Sequence, residues 1–103
     1  MNPNLPSNIG DVSLIMDING IKKTIKILDE IMIPASNLPE KALCFQKVMF
    51  VEDNKIELRL AYYMVGVRGK TKGRWVWGQY ATFILVEDMK RIIEKATEKG
   101  WFD

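Results

Sequence analysis

Apolar and polar positions alternate most clearly in the middle of the chain. Two runs rich in β-branched and aromatic residues, Leu43 to Val51 and Ile56 to Val65, are separated by the polar stretch 52–55. Such runs joined by a short polar connection are typical of a β-hairpin. One face of the second run is apolar, which predicts that this face points to the core. Its members are Ile56, Leu58, Leu60, Tyr62 and Met64.

A third strand is predicted from Trp75 to Leu85, after a connection that contains glycine. A turn centred near residues 70 and 71 would pair Met64 with Trp77 and Leu58 with Phe83, so that the apolar faces match. The same register would place Tyr63 opposite Gly78, where an aromatic ring can cover a glycine.

The segment before this hairpin has two interpretations. Ile21, Ile25, Leu28 and Met32 follow helical spacing, which predicts a helix from about Gly20 to Ile33, ended by Pro34. The competing interpretation is a short strand from Val12 to Asp17, followed by an Asn-Gly hairpin turn at residues 19–20. The helix is the favoured interpretation.

The final element is predicted as a helix from Val86 to Lys99. Its apolar stripe consists of Met89, Ile92, Ile93 and Ala96. Acidic residues at 87 and 88 suit a helix N-terminus, and Gly100 suits its end. Trp101 and Phe102 are then expected to fold back and fix the C-terminus to the core.

The predicted architecture is α+β: an N-terminal helix, a three-stranded antiparallel β-meander and a C-terminal helix, with an extra N-terminal strand as the alternative. Residues 1–10, rich in proline and asparagine, are expected to form an irregular lead-in. Residues 11–103 are expected to form a single domain, because a chain of 103 residues has room for one core.

Composition argues against catalysis. The chain has no histidine and one cysteine, Cys44, so serine and cysteine triads are excluded, and no catalytic residue, metal or cofactor is predicted. The N-terminus lacks a signal-peptide pattern and no apolar run is long enough to span a membrane. The expected location is the cytoplasm, without membrane contact.

The acidic residues are interpreted as solvated surface. Adjacent pairs occur at 29–30, 52–53 and 87–88, each on a predicted helix surface or turn. The strand sequence Glu57-Leu58-Arg59, with Asp53 before it, is weakly similar to the acidic-basic strand of metal-dependent nucleases. No further carboxylate is clearly placed to complete such a site, so a cross-strand charge pair is the favoured role.

A basic cluster gives the main functional hypothesis. Four cations fall within seven residues that contain no acid, at the tip of the predicted hairpin: Arg68, Lys70, Lys72 and Arg74. Such a tip, with aromatic residues nearby, is suited to binding the phosphates of DNA or RNA with little sequence choice. The alternative is that the cations only keep the tip soluble, while Trp75 and Trp77 pack in the core.

A second hypothesis comes from the other face of the sheet. This face is also apolar in the predicted register and includes Tyr63 and Tyr80. If both helices pack on one side, the uncovered face becomes an interface for a homodimer or for a larger complex. Two helices covering one face each would leave no such interface.

The second half of the chain resembles a family of short uncharacterised prokaryotic and viral proteins. The likeness rests on residues 60–67, on the Gly-Arg-Trp-Val-Trp-Gly-Gln-Tyr stretch at 73–80, and on a final helix that ends in Gly-Trp. The resemblance implies an independently folding domain and carries no activity with it.

Overall fold

A computed structural model describes residues 3–78 and 81–103 of the chain. Its main feature is a curled antiparallel sheet in which five strands neighbour one another in chain order. The strands are β1 (Val12–Met16), β2 (Lys22–Ala35), β3 (Leu38–Phe50), β4 (Lys55–Val65) and β5 (Trp75–Trp77). One helix, α1 (Val86–Glu98), follows the sheet and packs on one side of it. We call this the helix side and the opposite one the far side.

The predicted N-terminal helix is wrong, because residues 22–35 form the long strand β2. The buried isoleucines of β2 are Ile25, Ile27, Ile31 and Ile33, which alternate as in a strand, with an irregularity between Ile27 and Asp29. This β-bulge accounts for the helix-like spacing, since one extra residue breaks the period of two. The competing strand at the N-terminus is the one present, as β1.

The bulge in β2 divides the core between the two sides of the sheet. Ile25 and Ile27 pack with Val48 on the far side. Ile31 and Ile33 pack with Leu43 on the helix side, where they meet α1. A single strand therefore supplies both apolar clusters.

The central hairpin is present, but the apolar face of β4 is less covered than predicted. Strands β3 and β4 pair along their length, with Leu43 opposite Tyr62 and Phe45 opposite Leu60. Tyr62 packs against the helix-side cluster. Ile56, Leu58 and Leu60 remain 54%, 38% and 41% exposed. The reason is that α1 packs against β2 and that β5 ends before it reaches them.

Strand β5 is shorter than the predicted strand and its register differs by one residue. Tyr63 lies opposite Trp77, and Met64 lies opposite Val76. A shift of one residue moves every side chain to the other side of the sheet. Trp77 therefore lies on the far side with Tyr63, and the ring next to Gly78 is that of Tyr62, which a Cβ at Gly78 would overlap.

The C-terminal helix agrees with its prediction within one residue. Ile92 and Ala96 are buried, whereas Ile93 is 42% exposed. After Gly100, with φ of 75°, Trp101 folds back: its N–H donates to the Ala96 carbonyl at 3.0 Å and its ring is buried. Phe102, which was expected to share this role, is half exposed.

Within residues 3–78 and 81–103, the one helix present falls short of the length and apolar character needed to cross a membrane.

Helix α1 is fixed to the β2–β3 turn by a buried acid. Asp88, predicted as surface, is 1% exposed. Its carboxylate accepts hydrogen bonds from the Ser36 hydroxyl and from the Ser36 backbone N–H, the latter at 2.9 Å, and Arg91 lies 3.6 Å away. The Ser36 hydroxyl and N–H, with Arg91, hold the Asp88 pKa below its ordinary value against the opposing effect of burial.

We expect Asp88→Ala to lower the free energy of unfolding by about 1.5–3 kcal/mol. The substitution removes charge-assisted hydrogen bonds and leaves the Ser36 hydroxyl and N–H without the carboxylate that accepts from them. Chemical denaturation measures this. Glu87→Ala is the matched control, since Glu87 is exposed in the same helical turn.

The same contact predicts a pH dependence. Because folding lowers the Asp88 pKa, its stabilising contribution is complete above the unfolded value of about 3.9 and is lost as the pH falls below it. The stability difference between wild type and Asp88→Asn should therefore shrink at acidic pH. A difference that stays constant down to pH 2.5 would contradict this role.

Candidate functional site

The basic tip, which we define as residues 66–74, is a compact turn between β4 and β5. The Gly66 N–H donates to the Arg74 carbonyl at 2.8 Å, and the Gly73 N–H donates to the Gly66 carbonyl at 2.9 Å. Residues 69–71 form one turn of 3₁₀ helix. A Cβ at Gly66 would overlap with the backbone of Thr71, so this close approach requires glycine. The backbone of the tip is thus held by its own hydrogen bonds.

The four predicted phosphate-binding residues lie together on this tip. Arg68, Lys70, Lys72 and Arg74 are all exposed. None of their side chains forms an ion pair with any residue that the structure describes. The positive charge of the tip is therefore open to solvent and to ligands.

The far side of the sheet carries a closed ring of polar and aromatic contacts, which we call the polar ring. It connects the N-terminal segment with strands β2, β3, β4 and β5. Its members are Asn8, Glu30, Gln46, Arg59, Tyr63 and Trp77.

Glu30 is the buried acid of this ring, contrary to its predicted place on the surface. Its carboxylate accepts from the Gln46 amide at 2.6 Å, from the Asn8 side chain at 2.9 Å and from the Asn8 backbone N–H at 3.0 Å. Burial alone would raise the Glu30 pKa, but these bonds, with one from the Cys44 thiol, lower it below its ordinary value. Glu30 is therefore ionised at neutral pH. Burial, and then the charge of Glu30, raise the pKa of Cys44.

Arg59 is the cation of the ring, and it does not form the predicted cross-strand charge pair. Its Nε and Nη2 donate to Gln46 Oε1 at 2.9 and 2.7 Å. Its Cζ lies 4.8 Å from the ring centroid of Trp77, a cation–π distance. Nη1 has no hydrogen-bond partner among residues 3–78 and 81–103, so within this part of the chain its donors are unpaired.

Aromatic side chains complete the ring. Tyr63 and Trp77 meet edge to face, with ring centroids 5.2 Å apart. The Tyr63 hydroxyl accepts from the Asn8 amide at 2.9 Å. Trp77 is still 36% exposed, so it is neither buried in the core nor fully solvated. Tyr80, the other predicted interface residue, lies outside the described residues.

The N-terminal segment crosses the far side and borders this site. The Trp75 indole N–H donates to the Pro3 carbonyl at 3.1 Å, and the Gly10 N–H donates to the Ile27 carbonyl at 2.8 Å. Between the segment and the sheet lies a cavity of about 390 Å³. Its polar and aromatic lining includes Asn8, Asp11, Gln46, Arg59, Tyr63 and Trp77.

The tip and the cavity are joined by β5. Arg74 immediately precedes Trp75, and Trp77 follows two residues later, about 7 Å along a strand. Trp75 and Trp77 occupy alternate positions and so share the far side. The sequence indicated the tip, whereas Asn8, Glu30, Gln46 and Arg59 were missed as site residues. An isolated arginine between Leu58 and Leu60 was the available signal for one of them.

Comparisons with protein-family models, with curated proteins and with solved structures find no match for this chain.

We expect Asn8→Ala to release the N-terminal segment, because it removes the side-chain donors to Glu30 and Tyr63. The free energy of unfolding should fall by about 1–3 kcal/mol, and backbone amides in residues 3–11 should exchange faster. Denaturation and hydrogen exchange measure these effects. Ser7→Ala, at an exposed neighbour, is the control; equal behaviour of the two variants would refute the role of Asn8.

Proposed function

We propose that this protein is a small, non-catalytic binding protein that contacts single-stranded nucleic acid, with the basic tip holding phosphates. The observation that carries the proposal is the charge of the tip, which has no ion-pair partner among the described residues and lies next to an aromatic strand. Lysine and arginine supply phosphate affinity, while aromatic faces stack on unpaired bases. The structure supports the combination because Trp75 and Trp77 lie on one side of β5, directly after Arg74.

The register of β5 favours a single strand over a duplex. Trp77, which lies beside Arg59 and Tyr63, presents part of its ring to solvent. Unpaired bases can reach such a ring, whereas bases inside a duplex are stacked on one another. A nucleic-acid single strand held at the tip would therefore place its next bases along β5.

The test is binding of labelled single-stranded and duplex DNA and RNA over a range of salt concentrations. We expect salt-sensitive binding to single strands, with log K against log salt falling with a slope of about −2.8 if four phosphates are contacted. Replacing Arg68, Lys70, Lys72 and Arg74 together by glutamine should abolish most of the affinity and flatten this slope.

The matched control removes the same charge elsewhere. Lys22, Lys26, Lys90 and Lys95 are exposed, and no ion pair to them is found in the described part of the chain. Their replacement by glutamine should leave most of the affinity intact. Equal losses in the two variants would mean that net charge, and not the tip, holds the nucleic acid.

A second candidate function is a protein-interaction module that pairs with a second copy of this chain. The observation in its favour is the exposed apolar stripe on the helix side of β4, formed by Ile56, Leu58 and Leu60. A patch that pairs with its own copy generates a closed dimer. Tyr63, the residue first predicted for such an interface, is engaged in the polar ring on the far side.

We expect, on this second candidate, that the chain sediments as a dimer and that Leu58→Glu makes it monomeric. Apolar association should hold or strengthen with kosmotropic salt, in contrast to phosphate binding. Glu57→Gln, on the opposite side of the same strand, is the control. A monomer at all concentrations would exclude this candidate.

A further inference from the structure

We infer that the cavity beneath the N-terminal segment binds one unpaired purine base, with guanine preferred. This inference rests on the proposed nucleic-acid function and specifies what the far side adds to it. The volume of about 390 Å³ lies near the lower end of the range of small-ligand sites, which is roughly 300–1,000 Å³.

The charges around the cavity favour a neutral group over a phosphate. Arg59 and Asp11 both line it, so their formal charges cancel. The ionised Glu30 lies directly behind Gln46, 2.6 Å from its amide nitrogen. A phosphate would meet two carboxylates for one guanidinium. A base, which is uncharged but has donors and acceptors along its edges, meets no such repulsion.

The aromatic walls suit a planar ligand. Trp77 and Tyr63 line the cavity, and Ile27 lines it as well. A base that stacks on an exposed aromatic face gains affinity without any sequence requirement. Trp77 also belongs to β5, which begins directly after the tip. A nucleic-acid strand whose phosphates lie at the tip can therefore place a base in the cavity.

The Arg59 donors that are unpaired within the described residues would select the base. Nε and Nη2 are held by Gln46 Oε1, which fixes the guanidinium and leaves Nη1 unpartnered among the described residues. Arginine donates to guanine O6 and N7, the commonest specific arginine contact with a base. Adenine presents an amino group in place of O6, which would oppose these donors.

Asp11 supplies an acceptor at the rim of the same cavity. Its carboxylate is exposed, while its backbone is fixed by bonds from its N–H to the Asn8 carbonyl and from the Ile27 N–H to its own carbonyl, both at 2.9 Å. Guanine carries two N–H donors on its Watson–Crick edge that a carboxylate can accept. Cytosine and uracil lack this combination of acceptors on one edge and donors on the next.

The test compares single-stranded oligouridylates that carry one central guanine or one central adenine, with tryptophan fluorescence and calorimetry as readouts. We expect the guanine oligomer to bind at least about tenfold more tightly than the adenine oligomer. Arg59→Gln should remove the preference. Asp11→Asn should reduce the guanine preference, and because the Asp11 side chain is exposed, this substitution should not disturb folding. Arg91→Gln, on α1 and outside the cavity, should leave it unchanged.

The two proposals fail in different ways. Binding that depends on the tip but shows no difference between guanine and adenine would overturn the base site and leave the phosphate-binding function standing. A guanine preference that persists in both Arg59→Gln and Asp11→Asn would also overturn the base site. Absence of any binding by the wild type at low salt would overturn the nucleic-acid function and the base site with it. The four-glutamine tip variant should bind both oligomers weakly while keeping their ratio.

Discussion

The β-bulge between Ile27 and Asp29 is the constraint on which the rest of the fold depends. Side chains alternate strictly along a strand, so an uninterrupted β2 would place all its buried isoleucines on one side. The bulge moves Ile31 and Ile33 to the helix side, where α1 finds an apolar surface. It also places Glu30 on the far side with Ile25 and Ile27, opposite Gln46. One extra residue therefore decides both where the helix packs and where the buried acid lies.

The buried acid in turn orders the N-terminal segment. A carboxylate taken out of water is strongly destabilising unless hydrogen bonds compensate for its lost hydration. Strand β3 supplies such a bond to Glu30 through Gln46, and the N-terminal segment supplies two through Asn8. The N-terminal segment has no regular secondary structure, and it is held across the sheet because the buried Glu30 carboxylate needs its hydrogen-bond donors. The cavity exists because this segment lies over the sheet without filling the space above Arg59.

The parts of the fold that could be predicted from the sequence are those specified locally. The final helix has a periodic apolar stripe, acids at its start and a glycine at its end, and each signal acts within a few residues. The central hairpin and the exposed basic tip were similarly local. The prediction of an N-terminal helix was wrong because the bulge at Leu28 brings Ile25 and Met32 to one side of the strand, a spacing that an amphipathic helix also produces. No local pattern distinguishes a bulged strand from an amphipathic helix in so short a segment.

The site depended on long-range facts that local patterns do not contain. The register of β5 follows from the 3₁₀ turn at Gly69–Thr71 and from the bridge between Gly66 and Lys72. An error of one residue there placed Trp77 in the core, away from Arg59.

Charge distinguishes the basic tip from the cavity. The tip is basic and has no acidic partner among the described residues, so it attracts anions over a distance of about a Debye length, roughly 10 Å at 0.1 M salt. The cavity is different because Asp11 and Glu30 offset the charge of Arg59, so the selectivity inferred for it depends on fixed donors and acceptors at contact range. In this proposal, long-range attraction and short-range selection are separated along β5, with Trp75 next to the tip and Trp77 in the cavity wall. The proposed ligand, a single nucleic-acid strand, combines anionic phosphates with uncharged planar bases and so offers a group suited to each region.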